Sequence, residues 1–215
     1  MFISRLVEGS IRRAARSFIR LSVGPFPQSE YHMTRFFMYR HLGEVLRNSG
    51  GGEVLCISGS HYLLRLLSDR GIHLIEANYP ECSILDLPFE DNRFDYVVSD
   101  MVLEHVEGDP FKAIDETHRV LKPGGIAIHT SCFMYQRHGY PGDFWRFTPD
   151  ALSYMCRNFA EVIDVGGWGN RYYWLLSWLG AGDVGIPKAG WHPVHKLATI
   201  NEVDYPISTW VVAKK

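Results

Sequence analysis

The alternation of apolar and polar positions is most regular between residues 84 and 130. A short apolar run ends at Ile84 and Leu85. Residues 94–98, Phe-Asp-Tyr-Val-Val, form a second run of strand length, rich in aromatic and β-branched side chains. From 109 to 121 the period changes. Phe111, Ile114, Thr117, Val120 and Leu121 recur every three or four residues, which predicts a helix with one apolar face. Lys122-Pro123-Gly124-Gly125 stops it, with a cation in the last turn and Pro and Gly beyond. Residues 126–130 predict another strand. Strand, helix and strand in this order predict a right-handed crossover in a parallel sheet.

The same reading extends in both directions. Residues 2–21 carry an apolar stripe of Phe2, Ile3, Leu6, Val7, Ile11, Ala14, Ala15, Phe18 and Ile19. Arg5, Arg12, Arg13, Arg16 and Arg20 fall largely off that stripe, and Glu8 is its acid. This predicts a helix that either caps a core or lies on an anionic membrane surface, with its stripe buried in both cases. Arginines interrupt the segment, so no compact apolar stretch of a cleaved signal forms. After the Gly24-Pro25-Phe26-Pro27 break, a helix capped by Ser29 is expected to run to about Asn48. Residues 53–57 predict a first strand, Ser58-Gly59-Ser60 a loop, and residues 61–69 a helix. Residues 73–76 predict a second strand. Only ten positions separate Glu76 from Asp86, too few for the usual crossover helix, so a loop and a short third strand near 83–85 are expected. Downstream, a helix over 150–159 with Asp150 as N-cap and strands at 161–165 and 209–213 complete the pattern.

Composition narrows the class. With 215 residues, 46% of them hydrophobic and 21% charged, the chain can bury a substantial core. A net charge of −2 gives no electrostatic footprint for nucleic acid. Cys56, Cys82, Cys132 and Cys156 show no CxxC spacing, which suits reduced thiols in a cytoplasmic protein. No apolar run reaches the length of a membrane span.

Three motifs then stand in a meaningful order: Leu-Asp-Leu-Pro-Phe at 85–89, Leu-Glu-His-Val at 103–106 after the 94–98 strand, and Leu-Lys-Pro-Gly-Gly at 121–125. Together they resemble the central block of class I S-adenosylmethionine (AdoMet)-dependent methyltransferases, in the branch called the methyltransferase type 11 domain. The resemblance covers roughly residues 50 to 150. It implies a three-layer Rossmann-like α/β sandwich with a seven-stranded, mostly parallel sheet of order 3-2-1-4-5-7-6, and AdoMet as cofactor. It further implies cofactor contacts from Ser58, Gly59 and Ser60 in the first loop, Glu76 at the ribose hydroxyls, Asp86 and Leu87 at the adenine, and Ser99 and Met101 at the methionine end. The first loop departs from the family pattern of an acid and three alternate glycines. Cys56 stands at the acid, and Ser58, Ser60 and Tyr62 at the glycines.

The acceptor side is read from residues 131–149, dense in Tyr135, Arg137, His138, Tyr140, Asp143, Trp145 and Arg146. A loop leaving the carboxyl end of a strand with such side chains suits a substrate wall. It equally suits an aromatic anchor fastened by an Asp143–Arg146 salt bridge. His105 or His138 is the expected base if one is needed, with Arg146 fixing the substrate or the loop. His105 also fits a purely structural role, as Glu76 fits a solvated strand end. Tyr31, His32 and Arg35 either face the site or are ordinary helix surface. The expected organisation is a helical cap over 1–49 and a methyltransferase domain over 50–215, with a Trp- and Tyr-rich insertion at 166–195. The expected activity is methyl transfer (EC 2.1.1 class) to a small-molecule or glycan/lipid-type acceptor. The competing class is a methyltransferase-like binding or regulatory protein without activity. The absence of an Asn-Pro-Pro-Tyr-like motif after the 94–98 strand argues against a nucleic-acid acceptor.

Overall fold

The structure, a computed structural model, describes residues 2–67, 71–139 and 142–215, and side chains from residue 9 onward. The predicted helix end at Asp69, the predicted wall residue Tyr140 and the side chains of Phe2, Ile3, Arg5, Leu6, Val7 and Glu8 lie outside the described residues. The chain forms two compact units: Met38–Gly167 with Pro206–Lys215, and Met1–Phe37 with Trp168–Tyr205.

The first unit is built on a sheet of β1 (Gly52–Ile57), β2 (Ile72–Ala77), β3 (Phe94–Asp100), β4 (Leu121–Cys132), β5 (Glu161–Trp168) and β6 (Ser208–Lys214). Their spatial order is β2-β1-β3-β4-β6-β5. β1 to β4 pair in parallel, and β6 runs antiparallel to β4. Val54 to Ile57 and Tyr96 to Ser99 are all buried, as a parallel sheet covered on both faces requires. The order matches expectation for every strand but one. The expected third strand, at 83–85, is absent. There Ser83 and Asp86 form an isolated bridge, closed by Asp86 N–H to Ser83 C=O at 3.1 Å. The chain turns back on itself where a strand would have to run straight, because the connection from β2 is too short to lay one alongside. Ile84 and Leu87 plug the core from this turn instead.

α4 (Pro110–Val120) follows β3. Asp109 caps it by accepting the Phe111 N–H at 2.9 Å, with Pro110 in the first turn. Its buried face is Ala113, Ile114, Thr117 and Val120, the predicted period. β4 starts earlier than expected, because Leu121 pairs with Phe94 before residues 122–125 bulge out and pairing resumes at Ile126 opposite Tyr96. Gly125 is required in that bulge: a Cβ would lie 2.9 Å from the Lys122 carbonyl oxygen and 3.1 Å from that of Asp95. α3 (His61–Leu64) is shorter than predicted. α5 (Pro149–Met155) is capped by Thr148, whose hydroxyl accepts the Ala151 N–H at 3.1 Å, and not by Asp150.

α2 (Met33–Val45) begins four residues after the expected Ser29 cap, where His32 Nδ1 accepts the Thr34 N–H at 3.3 Å. The second unit contains α1 (Phe2–Val23), α6 (Arg171–Trp178) and α7 (Pro193–Thr199). Along the described part of α1 the chain itself leaves much of the apolar stripe uncovered, so the core-cap alternative is not what these residues show. Ile11, Phe18 and Leu21 are 57%, 74% and 75% exposed. The arginine side makes the side-chain contacts: Arg12 lies over the Trp178 ring at 4.3 Å, and at the surface Arg20 and Arg16 reach Asp183 at 2.8 and 3.4 Å. A guanidinium can stack on an indole or pair with a carboxylate, and these arginines do one or the other. No helix among the described residues is long and apolar enough to cross a membrane.

Candidate active site

β1 leads to β2 on one side and has β3 on the other, so the loops leaving β1 and β3 diverge at their carboxyl ends. In open α/β sheets this switch point is where ligands bind. Ser58 and Gly59 leave β1 with φ of 49° and 75°, and nothing lies within 4 Å of where a Gly59 Cβ would be. Gly59 N–H donates to Asn78 Oδ1 at 3.1 Å, and Asn78 Nδ2 donates to Glu76 Oε2 at 3.1 Å. Asn78 therefore holds the glycine loop and the carboxylate at the end of β2 side by side, with Glu76 open to solvent and His61 Nε2 3.7 Å from it.

Other predicted residues turn inward. Ser60 is buried; its hydroxyl donates to the Ile57 carbonyl at 2.5 Å and accepts the Asp100 N–H at 2.7 Å. It fastens β1 to β3 and offers no hydroxyl outward. Cys56, at the position of the family acid, is fully buried. Its thiol is pushed up to about 11 by burial and then by the charge of Glu76, so it is neutral. Asp86 is exposed, on a turn that Arg119 grips. Arg119 holds Glu116 with Nε at 2.9 Å and Nη2 at 2.8 Å, Asp91 at 2.8 Å, and the carbonyls of Phe89 and Leu87 at 2.7 and 2.9 Å. Glu116 in turn accepts the Leu87 N–H at 2.9 Å. That pairing holds the Glu116 carboxyl below its ordinary range and raises Arg119 further. Leu87 itself is buried, its N–H already engaged.

Ser99 also points into the core. Its hydroxyl lies 2.7 Å from His129 Nδ1, and His129 Nε2 lies 3.2 Å from Thr117 Oγ1. The Thr117 proton goes to the Ile114 carbonyl at 2.8 Å. Nε2 must then be the donor and Nδ1 the acceptor, so Ser99 donates. Ser99, His129 and Thr117 are all fully buried, and burial pushes His129 down to about 4. Beyond Ser99, Asp100 accepts from Thr130 Oγ1 at 2.5 Å and from the Tyr39 hydroxyl. Met101 adopts φ of 54°, its N–H directed at Thr130 O and Oγ1, each at 3.1 Å. A left-handed methionine is strained, and such strain collects at ligand-facing turns.

The acceptor-side residues do come together. The turn Leu103–His105 follows β3, and the Glu104 carbonyl accepts the N–H groups of Phe144 and Trp145 at 2.8 and 3.2 Å. Trp145 Nε1 donates to the Val106 carbonyl at 2.9 Å. His105 Nδ1 sits 2.5 Å from the Gly142 carbonyl oxygen, and the His105 and His138 rings meet edge to face at 5.2 Å. His138 N–H donates to Asp143 Oδ2 at 2.8 Å. Arg146 grips Asp143 with both terminal nitrogens, Nη2 to Oδ2 at 2.7 Å, and also reaches the Trp145 and Gln136 carbonyls. The Arg146 guanidinium holds the Asp143 carboxyl well below the carboxylate range. Arg146 is thus engaged in fastening the loop, the salt bridge foreseen as one alternative. Glu104 is fully buried and its carboxyl is pushed up by desolvation. Tyr31, His32 and Arg35 belong to the other unit, where His32 is held down by burial and by Arg35.

Tyr39, Asn78, Arg119 and His129 were not foreseen. A histidine inside the apolar run 126–130 was a usable signal, since a polar group in a buried strand must have partners. Tyr39 and Asn78 left none, because their roles depend on long-range approach.

Residues 41–129 match the methyltransferase domain family. A demethylmenaquinone methyltransferase of Staphylococcus carnosus (strain TM300) is 35% identical over 77 residues, 36% of this chain. The match spans about a third, 32%, of that relative's own length. Among solved structures, phosphoethanolamine N-methyltransferase 2 of Haemonchus contortus, in complex with phosphomonomethylethanolamine and S-adenosylhomocysteine, superposes with a TM-score of 0.55 at 16% identity, covering 84% of this chain and 52% of that one. The [4+2]-cyclase SpnF superposes equally well, with a TM-score of 0.55 at 19% identity and coverage of 83% and 79%. At such identities the likeness speaks for the fold, and the cyclase is a reminder that one fold carries several chemistries.

Proposed function

We propose that this chain, whose residues 41–129 match the methyltransferase domain family, is a class I AdoMet-dependent methyltransferase that binds AdoMet at the β1–β3 switch point and transfers its methyl group to a small molecule. The observation that carries this reading is the Gly59–Asn78–Glu76 bridge, which sets an open left-handed loop beside a solvent-facing carboxylate. A carboxylate accepts from both ribose hydroxyls, and the space over Gly59 admits the cofactor's close approach. Asp86 serves the adenine amine, and Met101, at the strained end of β3, the methionine portion. Ser60 and Ser99 act through the backbone they hold.

The sulfonium methyl is already activated, so the protein's task is to align the acceptor in line and exclude water. The acceptor lies between His105 and the loop of His138, Asp143, Trp145 and Arg146. Phe144 and Trp145, both still part-exposed, supply apolar walls. Nδ1 of His105 and of His138 each meets a carbonyl oxygen, Gly142 and Gln136. That tautomer leaves Nε2 to take a proton from a hydroxyl acceptor. The small-molecule substrates named for the relatives support an acceptor of that size.

Calorimetric titration of the full chain with AdoMet tests the reading. One site is expected, and Glu76→Ala or Asp86→Ala costs about 1.5–3 kcal/mol of affinity. Unchanged affinity in both variants overturns the assignment. A second reading, a binding protein without transferase activity, rests on the first loop, where Ser60 is turned inward and a neutral Cys56 replaces the acid. Tight AdoMet binding with no turnover over a panel of acceptors would favour it.

A further inference from the structure

We propose that Glu104, Cys132 and His138 form a binding site for zinc or a similar divalent transition metal at the carboxyl edge of the sheet. The three come from separate segments: the turn after β3, the final residue of β4, and the loop beyond it. One ligand atom from each lies within 4.8 Å of the other two. Around a tetrahedral zinc, with Zn–S of about 2.3 Å and Zn–N of about 2.0 Å, donors stand roughly 3.5 Å apart. Small side-chain rotations close that gap.

Glu104 is the independent sign of a ligand. Its side chain is fully buried, and Oε2 accepts from Ser131 Oγ at 2.7 Å. Oε1 has no nitrogen or oxygen partner among the described residues, and what lies beside the carboxylate is the Cys132 thiol. A buried carboxylate oxygen without a partner is costly unless a proton or a cation satisfies it. His138 is prepared for the same role. Its Nδ1 lies 3.1 Å from the Gln136 carbonyl oxygen, which fixes the proton there and leaves the Nε2 lone pair for a metal; with an ion bound, His105 is the base that remains. Its backbone is held by Asp143, itself clamped by Arg146, so the ring is positioned before any ion arrives. Cys132 is 3% exposed and sheltered from oxidants; burial and then the Glu104 charge push its thiol up, so it becomes a thiolate only as a metal displaces its proton. A carboxylate, an imidazole and a thiolate form a borderline-soft donor set that selects zinc or cobalt over calcium or magnesium. Three protein ligands leave one position for water or for an oxygen of an acceptor.

This inference does not depend on AdoMet binding, and its test is read without AdoMet. Reduced, chelator-treated full-length protein is titrated with Co²⁺. One equivalent is expected to bind, with a thiolate-to-cobalt charge-transfer band in the near ultraviolet and visible bands of tetrahedral intensity, and Zn²⁺ should displace it. Cys132→Ser should abolish the charge-transfer band, while Cys156→Ser should leave it intact. Glu104→Gln and His138→Ala should weaken zinc binding roughly 10–100-fold, by analogy with losses seen even for outer-shell partners. Should Glu104→Gln fail to fold, His138→Ala, on a part-exposed loop, keeps the test decisive. A band that persists in Cys132→Ser, or zinc affinity unchanged in His138→Ala, overturns the site.

Discussion

Replacing His129 by glutamine removes an ionisable group from the middle of the core, and the effect on acid stability follows from its surroundings. His129 is fully buried, accepts from Ser99 and donates to Thr117. Burial lowers it from 6.5 to about 4. The unfolded chain therefore takes up a proton near pH 6.5 that the folded chain refuses until about pH 4. Stability is full above the unfolded value, declines as pH falls from 6.5, and levels off below the folded value. At 1.36 kcal/mol per pH unit, that decline amounts to about 3 kcal/mol. His129→Gln should be less stable than wild type at neutral pH by about 1–3 kcal/mol, since Ser99 loses a buried partner. Its stability should nevertheless fall less steeply between pH 6.5 and 4, by that same margin of about 3 kcal/mol. Urea unfolding at half-unit pH intervals, followed by tryptophan fluorescence, measures both curves. Carboxylates that titrate in the same range are common to both proteins and cancel in the difference. Parallel curves would show that His129 is protonated in the folded state, or hydrated, and would refute the buried relay.

Arg119→Met removes the grip on the 86–91 turn and should destabilise by about 2–4 kcal/mol, because it leaves the Glu116 carboxylate without its cation and two carbonyls without this donor. The Glu116 carboxyl, now held low chiefly by Arg119, should move up toward its ordinary range in this variant. The pair's contribution in wild type should be present above the ordinary glutamate value and be lost as pH falls through the depressed one, as carboxyl-resolved NMR titration can check. Ser60→Ala leaves the Asp100 N–H and the Ile57 carbonyl without their shared partner, and a loss of about 1–3 kcal/mol in chemical denaturation is expected. Phe18→Ser with Leu21→Ser should change stability by less than about 0.5 kcal/mol per site in thermal melts, because both side chains already face solvent; a larger loss would mean that they are buried in solution.

What could be read ahead of the structure was whatever local pattern decides. The 109–121 period placed α4 on its buried face, and the 94–98 and 126–130 runs placed the central strands. The strand order followed from the motif sequence, apart from the strand at 83–85. Helix caps were misplaced where two candidates adjoin, Thr148 beside Asp150, since the winner depends on which hydroxyl the chain geometry brings to the free N–H. The orientation of α1 was illegible for a different reason. Its stripe argues for burial, but the contacts that the described residues make run from Arg12 and Arg20 to Trp178 and Asp183, about 160 residues away in the chain. In the site, the residue types at the ends of β1, β2 and β3 were legible. Which of their side chains faced outward was not, because Ser60 and Ser99 found inward partners that only tertiary approach supplies.

The position of β6 has a consequence for synthesis. Ser208–Lys214 threads between β4 and β5, and all of its residues through Ala213 are buried. β5 emerges from the ribosome some forty residues before β6 and at that stage has no neighbour to pair with. β4 likewise waits with one edge unsatisfied from Ile126 to Cys132. Such a nascent chain exposes two open strand edges at once, the kind of surface that holdase chaperones protect. Cotranslational folding of this protein is thus expected in two stages: an early β1–β4 platform that already carries the first loop and the turn after β3, and a late closure when residues 208–214 slot into the gap. Stalled ribosomes bearing chains cut before residue 208 should hold the platform in a protease-sensitive form, and chains released with residues 208–214 in place should lock it.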